Sequence, residues 1–230
     1  MTAKQSNSQA ARTRAGAAER PRSASRGAVG RSSTRDRLLD AAMYLFWERG
    51  YHATGMADLL KRARARSGSF YFFFKSKEAM LEAVLDRYLE SLEPMIVAPA
   101  FAAHKDPIER IFAILSGYRG RVISTGYRYG CPLGRLALEI DPSQRRIREK
   151  LAANFNAWCA AIERCLADAA DRLPRDLNRG EVSRFVLTVM EGAVMQSRVA
   201  AAVEPFDASI NELHRYFDGL LAAGATERRA

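Results

Sequence analysis

RSGSFYFFFKSKEAM, residues 66–80, sets five consecutive aromatic side chains, Phe70 to Phe74, between Arg66 and the pair Lys75 and Lys77. A buried strand would account for the rings. It would not account for the flanking charge, or for the small residues Ser67, Gly68 and Ser69 ahead of them. Read as a helix, the run divides. Phe70 and Phe74 are four apart and share a face, which is expected to be core. Tyr71 and Phe72 turn outward or to the flank, and Phe73 is expected to be half-buried.

The residues upstream support that reading. GMADLLKRA, residues 55–63, is a short helical pattern with Met56, Leu59, Leu60 and Ala63 as its apolar positions. STRDRLLDAAMYLFWERG, residues 33–50, repeats Leu38, Ala42, Leu45 and Phe46 at helical spacing. Ser33 or Thr34 caps its first turn and Gly50 ends it. Three such short helices must share one small core, drawn from Leu38, Ala42, Phe46, Leu59, Phe70 and Phe74. A short helix with small residues at its leading end, joined by a tight turn to a supporting helix, is the helix-turn-helix arrangement. Its second helix enters the DNA major groove. The side chains suit that role. The Tyr71 hydroxyl and Lys77 supply phosphate contacts, and the amides starting the helix near Lys77 add to them. Arg66 is suited to guanine and Phe72 to a thymine methyl.

The formal net charge is +10, and its placement carries more than its size. Residues 1–31 hold seven Lys or Arg and one Glu; residues 32–80 hold nine and five; residues 81–230 hold twenty of each. The excess lies in the first third, which points to a polyanionic partner at that end. Residues 1–31 are rich in Ala, Ser, Gly and Arg with almost no large apolar side chain, so a disordered basic tail is expected there. From residue 77 on, apolar residues keep helical spacing. Pro94 is expected to bend or stop one helix, Asp106 and Pro107 to begin another, and 142–173 to form the longest. The fold class is all-α: an N-terminal three-helix domain over 32–80 and a larger helical domain over 81–230. Cys131, Cys159 and Cys165 with His52, His104 and His214 suggest no metal site, no disulfide framework and no cofactor. No window is long and apolar enough for a membrane span, and a cytoplasmic location is expected.

Residues 34–81 resemble the DNA-binding domain of the tetracycline-repressor (TetR) family of bacterial regulators. The resemblance lies in Leu39 to Ala42, Phe46, Glu48 to Tyr51 and Thr54. It continues in the Gly-small-aromatic-Tyr-x-x-Phe run from Gly68 to Phe74 and in Ser76 to Glu78. It implies phosphate roles for Tyr71 and Lys77 and places residues 66, 67, 69 and 72 near base edges. The full expected DNA-facing set is Thr54, Arg64, Arg66, Ser67, Gly68, Ser69, Tyr71, Phe72, Lys75 and Lys77. This chain departs from the pattern at Arg64, where Gly is common in the turn, and at Gly55, where a Ser or Thr cap is usual. It departs again at Ala57 and at Phe73, often Arg and His in the family. If position 64 is left-handed, Arg costs on the order of 1 kcal/mol there.

The resemblance further implies that 81–230 binds a small molecule and forms a homodimer on an inverted-repeat operator. The expected bundle uses 142–173 and 181–202, with Phe155, Ile162, Leu166, Phe185, Val189 and Ala193 at the interface. An effector pocket, for an apolar or aromatic ligand, is expected from Phe112, Leu115, Tyr118, Tyr127, Leu136 and Trp158; those residues suit ordinary core equally well. GYRYGCPLG, residues 126–134, is turn-rich, and Cys131 reads as a buried thiol more readily than as a redox sensor. The function expected is a ligand-responsive, sequence-specific repressor released by a small molecule. An activator or a ligand-independent regulator of the same family stays open, as does a helical adaptor that binds nucleic acid non-specifically. No nucleophile–base pair or cofactor motif suggests an enzyme.

Overall fold

Ser33, expected as a cap, accepts from Asp36 N through its hydroxyl at 3.1 Å, and the first helix starts there, α1, Thr34–Arg49. The computed structural model describes residues 33–229; the tail expected at 1–31 lies outside them. Regular structure among the described residues is helical throughout. After α1 come α2 (Met56–Ala63), α3 (Ser67–Phe73), α4 (Lys77–Leu92), α5 (Ala98–Ala103), α6 (Pro107–Ser124), α7 (Pro132–Glu139), α8 (Arg145–Asp168), α9 (Arg179–Ala200) and α10 (Glu204–Glu227). Asp106 and Pro107 open α6 as expected, with Asp106 Oδ1 accepting from Ile108 N at 2.8 Å.

Pro94 does not end the helical course of the chain. Residues Glu93–Val97 form a π-helical turn that joins α4 to α5. The wider turn absorbs the missing N–H and the ring that would otherwise strike the carbonyl one turn back.

Two apolar clusters organise the packing. One holds Leu38, Phe46, Leu59, Phe70, Phe74, Met80 and Leu85, joined by Leu136 of α7 and by Ile147 and Leu151 of α8. Apolar contact therefore continues past residue 80 into α4, α7 and the start of α8. The second gathers Ile111, Leu115, Ile162, Leu166, Val186, Met190, Phe206 and Phe217 from α6, α8, α9 and α10. Each fully buried Leu, Ile or Phe contributes roughly 1.5–3 kcal/mol by leaving water. Arg119 locks α6 to α10 through two bonds to Asp207, at 2.6 and 2.8 Å.

α7 is short but tied at both ends. Arg135 donates to the carbonyls of Glu48 (3.4 Å) and Arg49 (2.5 Å), closing the last turn of α1. Glu139 accepts from His52 N at 3.0 Å. Gly50, at φ +93°, sits against that carboxylate, and a Cβ there would collide with it. At the other end Cys131 caps α7, its Sγ accepting from Gly134 N at 3.5 Å. No helix among the described residues is long and apolar enough to cross a membrane.

Candidate nucleic-acid interface and internal pocket

The turn between α2 and α3 is built by its backbone. Arg64 adopts φ +49°, the left-handed conformation its position demands. Ala65 N donates to Leu60 O at 3.0 Å and Arg64 N to Lys61 O at 3.2 Å, so the last carbonyls of α2 are satisfied despite the absent glycine. Arg37 Nε reaches across from α1 to Ala63 O at 3.2 Å. Gly55 begins α2 without a side-chain cap.

α3 is held by Phe70 and Phe74, both buried, with ring centroids 5.8 Å apart. That anchoring turns the neighbouring rings outward: Phe72 is 81% exposed, Tyr71 62% and Phe73 38%. Arg64, Arg66, Ser67, Gly68 and Lys75 are also exposed, and Ser69 is half-buried. None of Lys61, Arg64, Arg66, Lys75 and Lys77 has a carboxylate within 4.0 Å among the described residues, whereas Arg49 pairs with Glu48 and Asp58. Lys77 is half-buried, its ammonium 4.4 Å from the Tyr51 ring centroid; burial draws its pKa down, opposed by Glu139. Ser76 caps α4 through Ala79 N at 3.0 Å, and the amides of Lys77 and Glu78 have no acceptor within the helix.

Thr54 departs from expectation. It is 1% exposed, and its hydroxyl donates inward to Gly50 O (2.6 Å) and Leu45 O (3.2 Å). Its work is to brace the α1–α2 turn, and its side chain is turned away from the exterior. The other nine expected DNA-facing residues lie together on or beside α3.

A mainly apolar cavity of about 170 Å³ lies between the two clusters. Met43 of α1, Tyr88 and Ser91 of α4, Tyr118 and Arg121 of α6, Tyr129 to Leu133, Asn154 and Trp158 of α8, and Val194 of α9 line it. A shallow surface concavity shares four of its wall residues, Met95, Ile96, Tyr118 and Arg121, which therefore form the rim. The π-helical turn supplies Met95 and Ile96. Trp158 Nε1 is buried without a hydrogen-bond partner and lies beside the Tyr118 phenol, off hydrogen-bond geometry. Burial raises the pKa of Tyr118, Tyr88 and the Cys131 thiol, so all three are protonated at neutral pH.

Of the expected pocket residues, Tyr118 and Trp158 line this cavity. Phe112 lies instead in the surface concavity, stacked on His214 at a centroid separation of 3.5 Å. Leu115 is fully buried core, and Leu136 packs in the cluster around α1–α4. Tyr127, at φ +60°, belongs to the turn after α6 and is not among the lining residues. Tyr88, Ser91, Arg121, Tyr129, Cys131 and Asn154 supply the wall's other hydroxyl, guanidinium, thiol and amide groups. Tyr88 and Ser91 on α4, Tyr118 and Arg121 on α6, and Asn154 and Trp158 on α8 are each three or four apart, so spacing alone puts each pair on one helix face.

The expected dimer residues also divide. Ile162, Leu166 and Ala193 are buried within the protomer, leaving them no surface to offer a partner. Phe155 and Val189 are half-buried, and Phe185 is exposed, edge-on to Tyr216 of α10 at 5.2 Å. Leu138, Met195 and Val199 are the other large exposed apolar residues nearby, and they line a groove of about 880 Å³ with Phe155. Glu191 lies under the start of α7, where a Cβ on Gly134 would come within 2.5 Å of its Oε2. Its Oε1 is buried without a partner, and burial raises its pKa. No cluster of three potential metal ligands occurs among the described residues.

Residues 38–84 match the family of bacterial regulatory proteins named for tetR, and residues 107–213 match a tetracyclin repressor-like C-terminal domain. An uncharacterized HTH-type transcriptional regulator of Mycobacterium tuberculosis is 31% identical over 202 residues, covering 84% of this chain and 97% of that one. The HTH-type transcriptional repressor DhaR of Mycobacterium sp. GP1 is 27% identical over 181 residues, 78% of this chain and 89% of its own. A TetR transcriptional regulator from Chloroflexus aurantiacus superposes with a TM-score of 0.70 at 26% identity, covering 80% and 94% of the two chains. The fold is also that of a CifR cysteine mutant solved with a 26-base-pair operator duplex, with a TM-score of 0.69, 24% identity and 86% and 98% coverage.

Proposed function

This chain belongs to the tetR family of bacterial regulatory proteins, and from that premise we propose how its residues carry out sequence-specific DNA binding and ligand response. It acts as a homodimer in the cytoplasm, where its DNA is, and represses by occupying an inverted repeat. Residues 32–80 form the reading head. The α3 helices of the two protomers enter successive major grooves, roughly 34–36 Å apart. Ser67, Gly68 and Ser69 allow close approach, and Phe72 meets a thymine methyl while Arg66 reads guanine. Tyr71, Arg64, Lys75 and Lys77 hold phosphates. The observation that carries this reading is the outer face of α3, where two largely exposed rings stand among cations with no carboxylate partner.

Residues 81–230 pair the protomers and bind the effector. The outward apolar residues Phe185, Met195, Val199 and Tyr216 favour a bundle made from α9 and α10, with Phe155 and Leu138 at its edge. The effector, small and largely apolar, enters the cavity beside Tyr118 and Trp158. Because α1 and α4 supply part of its wall, a ligand that fits only one cavity shape biases the spacing of the heads. Binding of a labelled duplex from the DNA upstream of the gene, followed by anisotropy, tests the reading. Operator preference that persists in added salt is expected. Equal affinity for any duplex would replace the regulator with a non-specific binder.

A further inference from the structure

We propose that the cavity takes a small organic acid, a monocarboxylate with a single-ring or short aliphatic body, held with its carboxylate at the rim formed by Arg121 and Tyr118. This rests on the reading of the cavity as the effector site. Its volume, about 170 Å³, is well below the roughly 300–1,000 Å³ of drug-sized sites, so the occupant is one ring or a short chain.

The headgroup follows from the polar groups. Asp and Glu are absent from the lining residues, and Arg121 is the lining cation. Arg121 forms no ion pair among the described residues, and its charge reaches the hydroxyls of both Tyr118 and Tyr88, opposed at Tyr118 by Glu191, which is not a lining residue. Trp158 Nε1–H makes no hydrogen bond of ordinary geometry, although it lies close enough to the Tyr118 hydroxyl to act on it as a donor, with the two rings 6.4 Å apart at 68°. A donor left unpaired on a residue that is 4% exposed is costly unless something else supplies the acceptor. The Tyr118 hydroxyl and the Arg121 guanidinium thus stand on the rim of an apolar chamber, with Trp158 Nε1–H as a third donor next to Tyr118. A carboxylate there is hydrogen-bonded and charge-paired while still near water, which avoids the penalty of burying it deeper. A cation in the same place would face Arg121 with no counter-charge from the wall. A neutral amide would satisfy Trp158 but leave the guanidinium unmatched.

Calorimetry on the full-length dimer with three matched probes separates these cases: 4-ethylbenzoate, 4-ethylbenzamide and the planar cation 4-ethylbenzamidinium. The acid is expected to bind at least about 10-fold more tightly than the amide and the cation not at all, with the acid's advantage shrinking as salt rises. Arg121→Gln is expected to bring acid and amide within about 2-fold of each other, and Arg121→Lys to restore part of the preference. Trp158→Phe weakens both. Amide or cation binding that equals or exceeds the acid, or no measurable binding of the acid, overturns the proposed class. Ser91→Trp, which fills the chamber, reports on the site itself. Loss of acid binding in that variant supports it; acid binding unchanged there means that the cavity is not the effector site, whatever the ligand's charge.

Discussion

The outer face of α3 and the chamber beside Trp158 break the rule of apolar inside and polar outside in opposite senses. At α3 the chain spends aromatic surface on water: Phe72 is among the most exposed large side chains of the described residues. In the interior it buries polar atoms, Trp158 Nε1 and Glu191 Oε1, with nothing to bond. Each departure costs stability in isolation, and on the proposed function a partner outside the chain meets two of them, DNA at Phe72 and the effector at Trp158. The lesson is that the candidate sites of this molecule lie where burial and polarity disagree. Chemical reactivity is no guide, because burial holds Tyr88, Tyr118 and the Cys131 thiol in their unreactive protonated forms.

The sharpest way to break that contrast is to compare adjacent turns of α3. Phe70→Ala should cost about 3–5 kcal/mol in denaturant unfolding, because it empties a fully buried ring position. Phe72→Ala should change stability by less than about 0.5 kcal/mol while weakening operator binding. Equal losses of stability would mean that Phe72 is structural after all. Next in size, Arg66→Ser should remove roughly 1–3 kcal/mol of discrimination between a matched and a mismatched operator. An unaltered preference takes Arg66 out of the reading set.

Glu191→Gln tests the interior half. Burial raises this carboxyl's pKa, so the native state is favoured by its proton. Stability is complete below the ordinary glutamate pKa and is lost as pH rises through the elevated native value. The amide variant should therefore be more stable than the parent at pH 7, by about 1 kcal/mol, with the gap closing on acidification. A less stable variant at pH 7 would show that the carboxylate is paired. The smallest effect belongs to Asp207, whose hydrogen bonds from Arg119 hold its pKa below the usual range. Here the sign is reversed: the pair stabilises above the ordinary aspartate pKa and is lost as pH falls through the depressed one. Asp207→Asn should flatten the acid limb of the stability profile by only ~0.5 kcal/mol, since both partners are well exposed.

Much of the structure of α1 to α3 was legible because its determinants are local. The four-residue spacing of Phe70 and Phe74 sorts the rings, and Arg64 stands in the left-handed conformation that a tight turn requires. Thr54 was misjudged because a threonine before a helix serves as well to brace a turn as to meet a phosphate. The body was less readable. Apolar residues on a helix announce that they pack, but not against what. Leu115 and Ile162 meet their own chain, while Met195 and Val199, of similar character, do not. Whether helices close on one another or leave a gap depends on the summed shape of six segments, and no window of sequence contains that sum. Pro94 shows the same limit on a smaller scale: a break was readable, a widened turn that carries Met95 and Ile96 to the chamber's rim was not.

α7 gives these regions a common mechanical fate. At eight residues it is about 12 Å long, too short to flex along its length. One tip forms part of the chamber's wall, and the other grips the closing turn of α1 through Arg135 and Glu139. A stiff strut pinned in this way transmits a push as rotation and does not absorb it. On the proposed function, a guest that swells the chamber would push α7 against the end of α1, and α3, packed on α1, would be carried along with it.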